Sequence, residues 1–125
     1  MPTQDTRFAN ACLAALIVLQ LVMLGALFAQ SAPHPPATIS LFAIAPFLAT
    51  SMSVAFAAIL AGPLETRTGC ILSIGASVIA LLSYGPQKYF DAQFELIWPA
   101  VIAGQVAAVT LIWLVTLAVF RKKTA

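Results

Sequence analysis

Four apolar runs, at roughly 9–29, 41–61, 68–84 and 100–120, dominate this chain, and none contains an Asp, Glu, Lys, Arg or His. A helix rises about 1.5 Å per residue, so about 20 apolar residues cross the hydrocarbon core of a bilayer. The first, second and fourth runs reach that length. The third falls short, and spans with interfacial residues on each side and little tilt. Hydrophobic residues make up 62% of the 125 and charged ones only 8%, more apolar surface than a small soluble globule can bury. The expected fold is an all-α integral membrane protein: one membrane domain, residues 1–125, with four transmembrane helices and no room for a soluble domain.

Helix punctuation supports these limits. Pro35 and Pro36 precede the second run, and Ser40 stands where an N-cap belongs. Gly62-Pro63 closes the second run and Gly85-Pro86 the third, in the glycine-then-proline order of helix C-termini. Pro99 stands just before the fourth run, where a missing N–H costs nothing. A secretory signal is the competing reading of the first run, with an apolar core from Leu13 to Phe28 followed by "AQSA". The run is longer than a usual signal core, which favours an uncleaved span.

Four spans put both termini on one side, together with the loop "GPLETRTG". That side carries Arg7, Arg67, Arg121, Lys122 and Lys123, against Lys88 and His34 on the other. The positive-inside rule then predicts cytoplasmic termini in a cell inner membrane, with the "SAPHPP" loop outside. A net charge of +2, with few basic residues outside the C-terminus, gives no sign of nucleic acid.

The stretch "YGPQKYFDAQFELIWP" gathers charge and aromatics. On a helical period Phe90, Phe94, Ile97 and Trp98 share one face, while Lys88, Asp91 and Glu95 share another. That spacing predicts a short amphipathic helix, about 86–97, lying at the outer membrane surface and broken from the fourth span by Pro99. Tyr89, Phe90, Phe94 and Trp98 are its anchors, to headgroups or to a docked partner. Nothing nearby perturbs Asp91 and Glu95 toward acid–base work.

Charge-free spans bear directly on function. Proton-coupled transport needs intramembrane ionisable groups, and a haem between spans needs an axial ligand. The one histidine, His34, lies in a Pro-rich loop and is the candidate for a ligand contact. No catalytic residues, metal site or cofactor are expected, and Cys12 and Cys70 read as small apolar packers.

Small residues recur four apart within the spans. Ala45, Ala49, Ser53 and Ala57 form one row, Ser73 and Ser77 a second, and Ala100, Gly104 and Ala108 a third. Such rows let helix backbones approach closely, inside one chain or between chains. Gln20, Thr50, Ser51, Ser53, Ser77 and Thr110 lie near mid-depth, and Gln20 is the costliest of these to leave unpaired in hydrocarbon. The expected role is that of a non-catalytic accessory subunit of a larger, energy-transducing type of membrane complex, holding protein partners and lipid together. The alternative is a small homo-oligomeric transporter or channel for a neutral or weakly polar solute, lined by the mid-depth polar groups.

Overall fold

A computed structural model describes residues 3–29, 41–84, 89–90 and 94–125, with only the backbone of Leu41, Phe42, Phe94 and Leu96. Four helices account for almost all of it: α1 (Gln4–Ala29), α2 (Leu41–Ala61), α3 (Arg67–Tyr84) and α4 (Phe94–Thr124). Each is long and apolar enough to cross a membrane. The fold is that of a multi-pass, all-helical membrane protein.

Each helix packs against its sequence neighbours, α4 closes back onto α1, and α1 touches α3 across the diagonal. Small residues fill much of the interior. Ala9, Leu13, Ala55, Ala58, Ala76 and Leu111 meet at its centre with almost no exposure. Large apolar side chains such as Val22, Leu60, Ile71, Leu82, Val106 and Trp113 are turned outward. A bundle in lipid gains little from hiding leucine, so close backbone packing decides what goes inside.

The end that carries both termini is the better tied. Thr3 caps α1 by accepting the Thr6 N–H at 3.2 Å, and Asp5 in the first turn pairs with Arg121 of α4 at 2.7 Å. Gly62 ends α2 at φ 82°, a left-handed conformation that glycine adopts without strain. Thr66 then serves both neighbours of the turn. Its hydroxyl donates to the Ala61 carbonyl at 2.7 Å and accepts the Gly69 N–H at 2.8 Å, capping α3. Lys122 reaches over from the last turn of α4 and donates to the carbonyls of Leu64 and Glu65 at 3.0 and 2.8 Å.

These contacts rank the basic residues. Lys122→Met removes two charge-assisted bonds to backbone carbonyls and should cost about 1–2 kcal/mol. Arg121→Gln breaks only a surface pair and should cost about 0–1 kcal/mol. Thermal unfolding of both variants in one detergent checks the order. A larger loss from Arg121→Gln would overturn this ranking.

One expectation fails at the opposite end. Pro99 does not break the chain before the last span: α4 begins at Phe94 and runs through Pro99 without interruption. Proline at the sixth position of α4 deletes a single backbone bond, to the Glu95 carbonyl, and leaves the rest of the ladder intact. Residues 94–97, expected in a separate surface helix, therefore belong to α4. Of the rest of that stretch, Tyr89 and Phe90 form a short 3₁₀ piece, while Lys88 and Asp91 lie outside the described residues. The "SAPHPP" loop with His34, the expected cap Ser40, and Gly85-Pro86 also lie outside them.

Candidate functional site

The three small-residue rows have different surroundings. The α3 row is spent inside. Ser73 and Ser77 are fully buried, with Ser73 donating to the Pro63 carbonyl at 3.3 Å and Ser77 to the Ser73 carbonyl at 2.9 Å. Gly69, at the start of the same helix, lies against the Gly62 carbonyl. The α4 row is largely inside as well, with Gly104 and Ala108 buried and Ala100 half-buried. Gly104 seats the Tyr84 ring: a Cβ there would come within 2.9 Å of the Tyr84 Cβ and Cγ.

The α2 row faces out of the bundle. Ala49 and Ser53 are exposed, and Ala45 and Ala57 are half-buried at either end. Pro46, Thr50, Phe56 and Leu60 share this side of the helix and are also exposed. Its two hydroxyls are satisfied locally. Thr50 donates to the Pro46 carbonyl and Ser53 to the Ala49 carbonyl, both at 2.8 Å. Bonds of this kind let a serine or threonine sit on an apolar helix face with its hydrogen occupied. Beside the row a shallow groove of about 380 Å³ opens between α1 and α2, lined by Ile17, Met52, Ser53, Phe56, Ala57 and Leu60.

The mid-depth polar residues do not gather in one place. Gln20 is buried, and its Nε2 donates to Ser51 Oγ at 2.6 Å, joining α1 to α2. Its Oε1, like Asn10 Oδ1, is buried with no partner among the described residues. Ser77 is bonded within its own helix, Thr50 and Ser53 face outward, and Thr110 is half-buried on α4. Cys12 rests against the same core that holds Cys70, and both thiols are free. Among the described residues there is no group of three or more His, Cys, Asp or Glu placed to hold a metal.

Gln20 and Ser51 give an asymmetric prediction. Ser51→Ala strands the whole Gln20 amide in the interior and should cost about 1–3 kcal/mol. Gln20→Leu removes the demanding group, and should cost at most about 1 kcal/mol, since Ser51 can bond its own helix. Melting temperatures in detergent compare them. Equal losses, or a gain from Ser51→Ala, would show that this bond does not join the helices.

At the end away from the termini, Tyr84 is buried and donates its phenol to the Leu19 carbonyl at 2.7 Å. Gln105 of α4 bridges, donating Nε2 to the Tyr84 carbonyl and accepting the Tyr89 hydroxyl at Oε1, both at 2.9 Å. Phe90 is 93% exposed and Trp98 50%, so both are open to headgroups or to a partner. Phe94 is placed by its backbone alone.

Sequence reasoning missed Tyr84, Gln105, Lys122 and Trp113. The only hint for Tyr84 was Gly104, the smallest member of the α4 row, near a span's edge. Trp113 carried a plainer hint, being a tryptophan well inside a span rather than at its rim. No family model, curated protein or solved structure matches this chain.

Proposed function

We propose that this protein is a non-catalytic accessory subunit of a larger complex in the cell inner membrane, docked through the outward face of α2. One observation carries the reading. Of three small-residue rows, the bundle uses those of α3 and α4 internally and leaves Ala49 and Ser53 of α2 uncovered. Leucine and valine suit a surface that meets only lipid. A small-residue face flanked by a groove suits close approach by another helix. The basic end, with Arg7, Arg67 and the Arg121–Lys123 cluster, is read as cytoplasmic by the positive-inside rule. Phe90 and Trp98 are read as anchors in the outer headgroup zone, in keeping with their exposure.

The transporter alternative draws less support. Its path would be lined by Gln20, Ser77, Thr110 and their neighbours, and these have separate surroundings within one chain. A photoreactive amino acid in place of Ser53, activated in native membranes, tests the docking face. The expected result is a protein adduct. Adducts with lipid alone would contradict a docked α2.

A further inference from the structure

Trp113 is the feature that the bundle leaves least explained. It is 62% exposed on the outer side of α4, eight residues before Arg121. That spacing puts it ~12 Å from the basic end, below the headgroup zone where tryptophan normally resides. In hydrocarbon its indole N–H needs an acceptor. Among the described residues none provides one.

The groove between α1 and α2 has the complementary chemistry. Ser53 Oγ has committed its hydrogen to the Ala49 carbonyl, which leaves its lone pairs free to accept an N–H. Met52 and Phe56 on the same wall are neighbours that an indole ring favours, through sulfur–aromatic and edge-to-face contact.

Depth decides whether the two can meet. Copies of one chain inserted with the same topology are related by rotation about the membrane normal, which leaves depth unchanged. A projecting side chain and a groove on different copies therefore meet only if they lie at one level. The second and fourth helices of the bundle run in the same direction, toward the basic end, and Lys122 bonds the Leu64 and Glu65 carbonyls just beyond α2. Counting back along both helices from that shared level puts Trp113 and Phe56 within about one helical turn of the same depth. Within one chain they cannot meet, because α2 and α4 occupy opposite corners of the bundle.

We propose that the groove lined by Ile17, Met52, Ser53 and Phe56 receives Trp113 of a second copy of this chain. The inference rests on the reading of α2 as a docking face, and names its occupant. Because knob and groove lie on different sides of the bundle, the contact is heterologous, and successive copies form a ring or a row within the complex.

The test puts a photoreactive amino acid at the groove rim in place of Leu60, in membranes containing two differently tagged copies of the full chain. The expected result is a dimer adduct joining both tags and mapping to α4 around Trp113. It should disappear when the second copy carries Trp113→Ala and persist when it carries Trp98→Ala. Mapping is done with Trp113 intact, so the result does not depend on how the variant folds. An adduct to α2 of the second copy would overturn the proposal in favour of a symmetric contact. Adducts to an unlike chain alone would overturn it and leave the subunit reading standing. Adducts to lipid alone would overturn both.

Discussion

Gly69→Ala should melt this protein far below its normal temperature, with a loss of about 3 kcal/mol or more. The added Cβ would overlap the Gly62 carbonyl, a backbone group that cannot swing aside like a side chain. Gly62 is itself held at φ 82°, and its oxygen accepts the N–H groups of Glu65 and Thr66 at 3.2 and 3.4 Å. Relief would require α3 to back away from the turn. That would stretch the Thr66 bonds to Ala61 and Gly69, which join the end of α2 to the start of α3. Gly25→Ala is the control, because nothing lies within 4 Å of a Cβ there. It should be neutral or gain up to about 1 kcal/mol from better helix propensity. Unfolding curves of the two variants in the same detergent make the comparison. Equal effects would show that the turn does not hold α2 against α3.

Replacing Ala49 and Ser53 together with leucine should release the chain from its partners while leaving the bundle folded. Both side chains are exposed in the isolated chain and the groove beside Ser53 is open, so larger ones have room outside the core. At a close helix–helix contact the same bulk forces the backbones apart, at about 1–3 kcal/mol, which corresponds to a roughly 5- to 150-fold weaker association. Val78→Phe, which adds bulk to an exposed position on α3, should leave assembly unchanged. The readout is the share of tagged protein recovered at complex size after mild solubilisation, with the melting temperature of the purified chain measured alongside. Assembly that survives the α2 double substitution would rule out α2 as the docking face.

The helices were legible because their signals are local. Apolar length located the spans, and Gly62-Pro63 marked the end of α2 because glycine and proline act on the backbone within a few residues. What faces what was not legible. In α2 nearly every residue is apolar, so the usual contrast between core and surface faces is missing and a helical period carries no direction. Ala49 and Ser77 belong to rows of the same spacing, yet one faces outward and the other is buried. Only the tertiary arrangement separates them. Pro99 misled for a related reason. Proline is compatible both with a break and with an early helical position, and the local sequence does not choose between them. Gln105 acts by reaching to another helix, which no spacing within its own run reveals.

Purifying the protein from its native membranes in mild detergent, and identifying what travels with it by mass spectrometry, tests the subunit account most directly. The account predicts unlike membrane proteins in constant proportion together with more than one copy of this chain, and the α2 double substitution should release the chain from that assembly. A chain that travels alone and moves solute across liposomes as a homo-oligomer would contradict it.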